Sequence, residues 1–325
     1  MGAVALVSVF RSGLQESRHL GHIAVCDADG LLVAWAGDPD HVVFARSCMK
    51  PLQAAVSLQA VGHGLPDREL AVMCASHNGE PVHIAAVRTV LERAGLDSEA
   101  LRNPPGWPID KISMARAMQP NREMHDCSGK HAGMLLACVR AGWNRAEYLS
   151  PEHPLQRRVL DAVGLMSRHQ DIAVGVDGCG LPVHGLPLMS MATLYARLAA
   201  SDGLGDLGEF TGRAVEAMRA EPYMVGGRDR LDTDVMLGTA DVLAKEGAEA
   251  IVCASLLSAG LGVAIKIADG GRRATAPALV QVLAQLDALT PAAFEALAVH
   301  ARPPVLGGGK PVGELVAGFE LQRKR

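Results

Sequence analysis

Aromatic side chains are scarce in this 325-residue chain: five Phe, three Tyr and three Trp amount to 3% of it. Apolar residues nevertheless reach 49%, so the core must be aliphatic, and a disordered chain is excluded. Neither sign of charge dominates. The 31 basic and 35 acidic side chains give a net charge of −4, and without a basic stripe nucleic-acid binding is not expected. No Cys-x-x-Cys occurs. The seven cysteines, Cys26, Cys48, Cys74, Cys127, Cys138, Cys179 and Cys253, are odd in number and scattered, which reads as reduced thiols in a cytoplasmic protein rather than a disulfide framework. Long hydrophobic runs are also missing. The apolar stretch Met1–Phe10 lacks a positive flank and meets Arg11 too soon to span a membrane, so it reads as a first strand. Leu6 breaks the myristoylation pattern. The 35 Gly and 18 Pro have no collagen period and mark many tight turns. There is no internal repeat and no linker that would separate independent domains.

What is present is organised by position. The first 45 residues read as strands, with Gly21–Cys26 and Leu31–Ala36 flanking the turn Asp27-Ala-Asp-Gly30. A helix opens near Ser47 and runs to about Val61, with Pro51 in its first turn and Gly62 beyond its end. Residues 67–223 read as mainly helical: Glu69–Ser76, Pro81–Ala94, Ser128–Ala141, Pro154–Val163, Leu188–Ala200 and Glu209–Arg219, with one strand at Ile172–Asp177. Strand character returns at Ile251–Leu257 and Gly262–Ala268, then helices at Pro277–Leu286 and Pro291–Ala298, and a last strand near Val312–Leu321. The pattern predicts a single α+β domain over residues 1–325. Its antiparallel sheet would come from both chain ends (about 1–45 and 245–325), with a helical lobe (about 46–244) inserted between them.

Three elements could carry nucleophilic chemistry. Ser47-Cys48-Met49-Lys50 is a Ser-x-x-Lys, and three residues apart on a helix means a shared face. Serine needs a base to take its proton, and a lysine with an ordinary pKa near ~10.4 must give up roughly 4 kcal/mol to be neutral near pH 7.4. Ser76-His77-Asn78 follows a predicted helix. Lys266 sits in the strand Gly262–Ala268, before Asp269-Gly-Gly271. This order is that of the serine β-lactamases and penicillin-binding proteins, although Lys-Ile-Ala-Asp-Gly stands in place of Lys-Thr-Gly. A fourth element combines His125-Asp-Cys-Ser-Gly-Lys-His131 with Asp177-Gly-Cys-Gly180. From spacing alone, Cys127, His131, Asp177 and Cys179 form a zinc-type donor set, although buried free cysteines also serve as small hydrophobes. Gly129-Lys130-His131 and Gly307-Gly-Gly-Lys310 lack the remaining features of a phosphate loop.

Taken together, Arg46-Ser-Cys-Met-Lys-Pro-Leu-Gln53, Ala75-Ser-His-Asn-Gly-Glu80, Cys127-Ser-Gly-Lys-His-Ala-Gly133, Val176-Asp-Gly-Cys-Gly-Leu-Pro182 and Arg230-Leu-Asp-Thr233 run in one order along nearly the whole chain. In this the chain resembles the L-asparaginase II family, the thermolabile, rhizobial-type asparaginases, whose fold is similar to serine β-lactamases and glutaminases. The resemblance implies an amidohydrolase that converts L-asparagine to L-aspartate and ammonia through an acyl-enzyme. Its two Ser–Lys pairs would be Ser47 with Lys50 and Ser76 with Lys266. Arg46, Asn78, His131 and Asp177 would bind substrate, with Arg230 a weaker candidate. Cys127, Lys130 and Cys179 would be zinc ligands, with water in the fourth position; this replaces the quartet drawn from spacing. It further implies a cytoplasmic homodimer with no organic cofactor, no membrane and no nucleic-acid partner. Competing expectations are a glutaminase, a penicillin-recognising hydrolase and a non-catalytic amino-acid-binding protein.

Overall fold

Strands from both ends of the chain meet in one antiparallel sheet, as the sequence pattern predicts. A computed structural model describes residues 2–200 and 203–324, so Met1 of the expected first strand lies outside it. The chain forms two units: residues 1–48, 185–200 and 234–325 in the first, and 49–184 and 201–233 in the second.

The first unit holds a nine-stranded sheet of β1 (Val4–Arg11), β2 (Leu14–Asp27), β3 (Leu32–Ala36), β7 (Val242–Gly247), β8 (Ile251–Leu256), β9 (Leu261–Ile267), β10 (Pro304–Gly307), β11 (Lys310–Ala317) and β12 (Gln322–Arg323). Its order is β10-β11-β1-β2-β9-β8-β7, with β3 on β2 and β12 on β3. Asp27 makes the β2–β3 turn by accepting the N–H groups of Asp29 and Leu31 on its own carboxylate, each at 2.9 Å, a local competition typical of Asp. A short β4 (Val42–Phe44) pairs with Gly185–Pro187, the end of β6 (Pro182–Pro187).

Helix α7 (Leu188–Ala199), expected in the helical lobe, packs instead on β9, β2 and β8. Amphipathic spacing shows that a helix buries a face but not what covers it. Gly262 is what lets it approach: a Cβ there would lie 1.9 Å from the Ala192 carbonyl oxygen. Residues 262, 264 and 266 therefore face α7, while Val263, Ile265 and Ile267, fully buried, point the other way. Helix α11 (Thr275–Gln285) packs on β8, β9, β1 and β11. Four strands escape the sequence reading, β6, β7, β10 and the two-residue β12. In β7 the central Lys245-Glu246 pair interrupts the apolar alternation by which a strand is recognised.

The second unit is helical, built from α1 (Lys50–Val61), α2 (Asp67–Met73), α3 (Pro81–Arg93), α4 (Lys111–Arg116), α5 (Ser128–Ala141), α6 (Pro154–Ser167), α8 (Asp206–Ala220) and α9 (Pro222–Val225). Helix α10 (Leu231–Gly238) begins in it, and β5 (Ala173–Val176) is its strand. Helices α1 and α5 pack on each other, and α1 also packs on α8 and α6. Both are buried on nearly every side over long stretches, α1 from Lys50 to Leu58 and α5 from Ser128 to Cys138. These stretches include polar side chains, among them Lys50, Gln53, Lys130 and His131, which a core position must hydrogen-bond.

Candidate active site and metal-ligating cluster

The Arg46–Met49 stretch forms a single 3-10 turn that runs directly into α1. Arg46 holds φ at 47°, a left-handed conformation that costs a bulky residue about 1–3 kcal/mol and gathers at functional sites. Ser47, 8% exposed, follows it. In the first unit this turn lies on β7: the Cys48 thiol donates to the Lys245 carbonyl at 3.1 Å, and Tyr195 Oη donates to the Cys48 carbonyl at 2.7 Å.

Lys50 opens α1 and is fully buried. Its Nζ stands 2.6 Å from the Ala75 carbonyl, 2.9 Å from Ser76 Oγ and 3.4 Å from the Asp126 carbonyl. The Asp126 carboxylate is 4.0 Å away. Burial opposes ionisation of that carboxyl, yet the Lys50 charge and the His125 hydrogen bond hold it well below the usual range. Ser76 lies three residues past the end of α2, which stops at Met73 rather than at Ser76. Its segment runs extended against the residues after α9, with Ser76 N–H donating to the Val225 carbonyl at 3.0 Å and Asn78 N–H to the Gly226 carbonyl at 2.8 Å.

Neighbouring side chains brace this segment. Asn78 Nδ2 donates to the Arg228 carbonyl at 2.8 Å, and Asn78 Oδ1 accepts from Arg230 Nη1 at 3.2 Å; the same Arg230 nitrogen donates to the Ser76 carbonyl at 2.9 Å. Both ends of the Asn78 amide are thus engaged by protein. His77 is fully buried. Its Nδ1 accepts from Gly79 N–H at 3.1 Å, so Nε2 carries the proton and donates to Ser128 Oγ at 2.9 Å. Ser128 begins α5, which ties the Ser76 segment to that helix. Helix α5 can come this close because Gly129 has no side chain: a Cβ would sit 2.1 Å from the Val72 carbonyl.

Cys127, Lys130 and Cys179, all nearly buried, are brought together at the start of α5 and the turn after β5. That turn closes through Gly180 N–H to the Asp177 carbonyl at 2.8 Å and Asp177 N–H to the Leu181 carbonyl at 2.9 Å. Lys130 Nζ is 3.3 Å from Cys179 Sγ. The hydrogen bond between the two thiols, aided by the Lys50 and Lys130 charges, holds the Cys127 thiol well below its ordinary value against the effect of burial. The same bond and burial push the Cys179 thiol far up. Two sulfurs and an amine nitrogen are donors that zinc accepts, so the residues fit such a metal, which would have to displace a proton from the amine to use it.

His131, expected beside substrate, is fully buried. Its Nδ1 is 2.7 Å from Tyr148 Oη, and its Nε2 has no protein partner. Asp177 is partly exposed, with Oδ1 accepting from Gly178 N–H at 2.8 Å. Lys50 is the lysine on Ser76 Oγ; Lys266, half-exposed in β9, donates to the Glu249 carbonyl. The fully buried lysine of the sheet is Lys245 in β7, whose Nζ donates to the Glu246 carbonyl at 3.0 Å. Sequence reasoning missed it and missed Asp126. The available signal for Lys245 was a lysine directly after the apolar Val242-Leu-Ala244; for Asp126 it was adjacency to Cys127.

The histidines give the chain a pH signature. Burial lowers His77, His131, His83, His153 and His22, and takes His184 down to about 4. As pH falls below about 6.5, the unfolded chain takes up protons at these positions that the folded chain refuses. Stability therefore falls on acidification, by up to about 1.4 kcal/mol per pH unit for each such group. His125 works in the opposite sense. Burial alone would lower it, but Asp126 and Cys127 raise it to about 9, so its contribution is complete below 6.5 and lost as pH rises through 9. Thermal melting should show a midpoint that drops steadily from pH 7 to pH 5; a flat midpoint over that span contradicts the assignment.

Comparison with known proteins can now be set beside this geometry. A family model described as L-asparaginase II matches residues 7–317. Among solved structures the chain is similar to Mglu in its native form, at 17% identity and a TM-score of 0.47, covering 83% of this chain and 65% of that one. It is also similar to a probable glutaminase, ybaS, at 16% identity and a TM-score of 0.43, covering 77% and 80%. A β-lactamase from Mycobacterium bovis matches at 14% identity and a TM-score of 0.43, covering 82% and 94%. The chain thus spans just under two thirds of the length of Mglu. A comparison with curated proteins gave no match. The protein is of mixed helix and antiparallel sheet. More closely, it belongs to the L-asparaginase II family, on a match that covers nearly its whole length. No helix among the described residues is long and apolar enough to cross a membrane.

Proposed function

We propose that the protein hydrolyses L-asparagine to L-aspartate and ammonia through a serine ester. The observation that carries this is the fully buried Lys50 amine, 2.9 Å from Ser76 Oγ and three residues after Ser47. The Ala75 and Asp126 carbonyls hold the nitrogen in place beside the Ser76 hydroxyl, and an amine within hydrogen-bond reach of a serine hydroxyl is placed for general acid–base work.

Ser47 Oγ attacks the side-chain amide carbon, and its proton passes to Lys50. Backbone N–H groups meet the oxyanion. The C–N bond breaks as Ser76 hands a proton from Lys50 to the leaving nitrogen, releasing ammonia. Water then cleaves the ester, with its proton going to the amine and one returning to Ser47. Arg46 and Asp177 are the charged partners proposed for the α-carboxylate and α-ammonium of the substrate. Zinc on Cys127, Lys130 and Cys179 would supply a fixed positive centre. The proposed chain acts as a homodimer on a free amino acid and needs no organic cofactor.

The direct test is ammonia release from asparagine and glutamine, assayed side by side. Asparagine should be the faster substrate by about 10–200-fold, the range that one methylene affords in a fitted pocket. Equal or faster release from glutamine overturns the substrate assignment, and no release from either overturns the reaction.

A further inference from the structure

Helix α7, which packs on the sheet, carries a hydroxyl to the turn that presents Ser47. Tyr195 is fully buried, and its Oη donates to the Cys48 carbonyl at 2.7 Å. That carbonyl needs a donor from outside its own turn. In a 3-10 turn a carbonyl bonds to the N–H three residues on, and three residues after Cys48 stands Pro51, which has none. The turn is also strained, with Arg46 at a φ of 47°, a conformation that persists only where its surroundings over-determine it. The other ties on Cys48 are its N–H to the Ala45 carbonyl at 3.1 Å and its thiol, a weak donor, to the Lys245 carbonyl at 3.1 Å. Tyr195 is itself held in place from the sheet. Ser255 Oγ of β8 donates to the Tyr195 carbonyl at 2.7 Å. Gly262 of β9 admits the helix backbone there, since a Cβ would lie 2.9 Å from the Tyr195 carbonyl carbon. All of these residues except Pro51 belong to the first unit.

We infer that Tyr195 is a positioning residue for Ser47: its hydroxyl fixes the backbone from which the Ser47 side chain attacks. The inference rests on the reading of Ser47 as the nucleophile and deepens it. Tyr195 moves no proton and touches no substrate; its O–H is committed to a peptide carbonyl and acts as a strut between the sheet and the turn. The strut matters because attack is steep in geometry, a misplacement of about 1 Å costing about 10²-fold in rate.

The test compares two variants of the full chain, each lacking one hydroxyl at this strut. Tyr195→Phe keeps the ring and removes the bond to Cys48; Ser255→Ala keeps that bond and removes the one to the Tyr195 carbonyl. Both should melt below wild type, since each leaves a buried carbonyl short of a donor. Ammonia release from asparagine is then measured well below all three melting midpoints. Tyr195→Phe should lower kcat by about 10–100-fold, the scale of a misplaced reacting atom, with KM little changed because the loss falls on the transition state. Ser255→Ala should keep kcat near wild type, a difference that a merely structural role of Tyr195 would not produce. Wild-type kcat in Tyr195→Phe overturns the proposal, as does an equal fall of kcat in both variants. Undiminished turnover in Ser47→Ala overturns the choice of nucleophile and the proposal with it, and wild type that releases no ammonia overturns the reaction on which both stand.

Discussion

Replacing Lys50 with methionine should slow ammonia release from asparagine by about 10²–10⁴-fold, the usual contribution of a general acid–base group, while the chain stays folded. Methionine fills much of the space of the lysine stem and adds no charge to a site that is fully buried. Removing the amine leaves the Ala75 carbonyl and Ser76 Oγ without the donor they now share, a loss of about 1–3 kcal/mol for each buried group left unmade. Some destabilisation is therefore expected, and near-UV circular dichroism with a melting midpoint separates it from lost chemistry. A folded Lys50→Met variant with near-normal turnover would exclude the amine from the reaction.

Ser47→Ala should cost at least about 10³-fold, since removing a nucleophile eliminates the covalent route rather than weakening it. Ser76→Ala should cost less, and the two differ in kind. Quenching the Ser76→Ala variant during turnover and digesting it should place an aspartyl ester on the peptide containing Ser47. The structure makes this a demanding test, because Ser76 is the hydroxyl that Lys50 touches. An ester on Ser76 in the wild-type chain, with turnover surviving in Ser47→Ala, would exchange the roles of the two serines.

Much of the architecture could be read from local signals. Asp27 and Gly30 announce their hairpin because an Asp side chain competes for nearby N–H groups. Ser47 with Lys50, and Cys127 with Cys179, were likewise visible as motifs, lying on a single turn or flanked by glycines, whereas Lys130 entered only through the family resemblance. Partnership across the sequence was not legible. Lys266 lay in a strand the sequence announces, whereas Lys245 sits beside Glu246 in one it does not; only the structure shows that Lys245 is enclosed and Lys266 half-exposed. Asp126 was likewise hidden, because part of its contribution to Lys50 is a backbone carbonyl, a group that every residue possesses.

That choice of acceptor has an evolutionary and a chemical consequence. Peptide carbonyls at Ala75 and Asp126 cannot be mutated away, so substitutions at position 75 that keep the chain path leave the amine moored. They cannot be titrated either. The mooring therefore holds in acid as it does at neutrality.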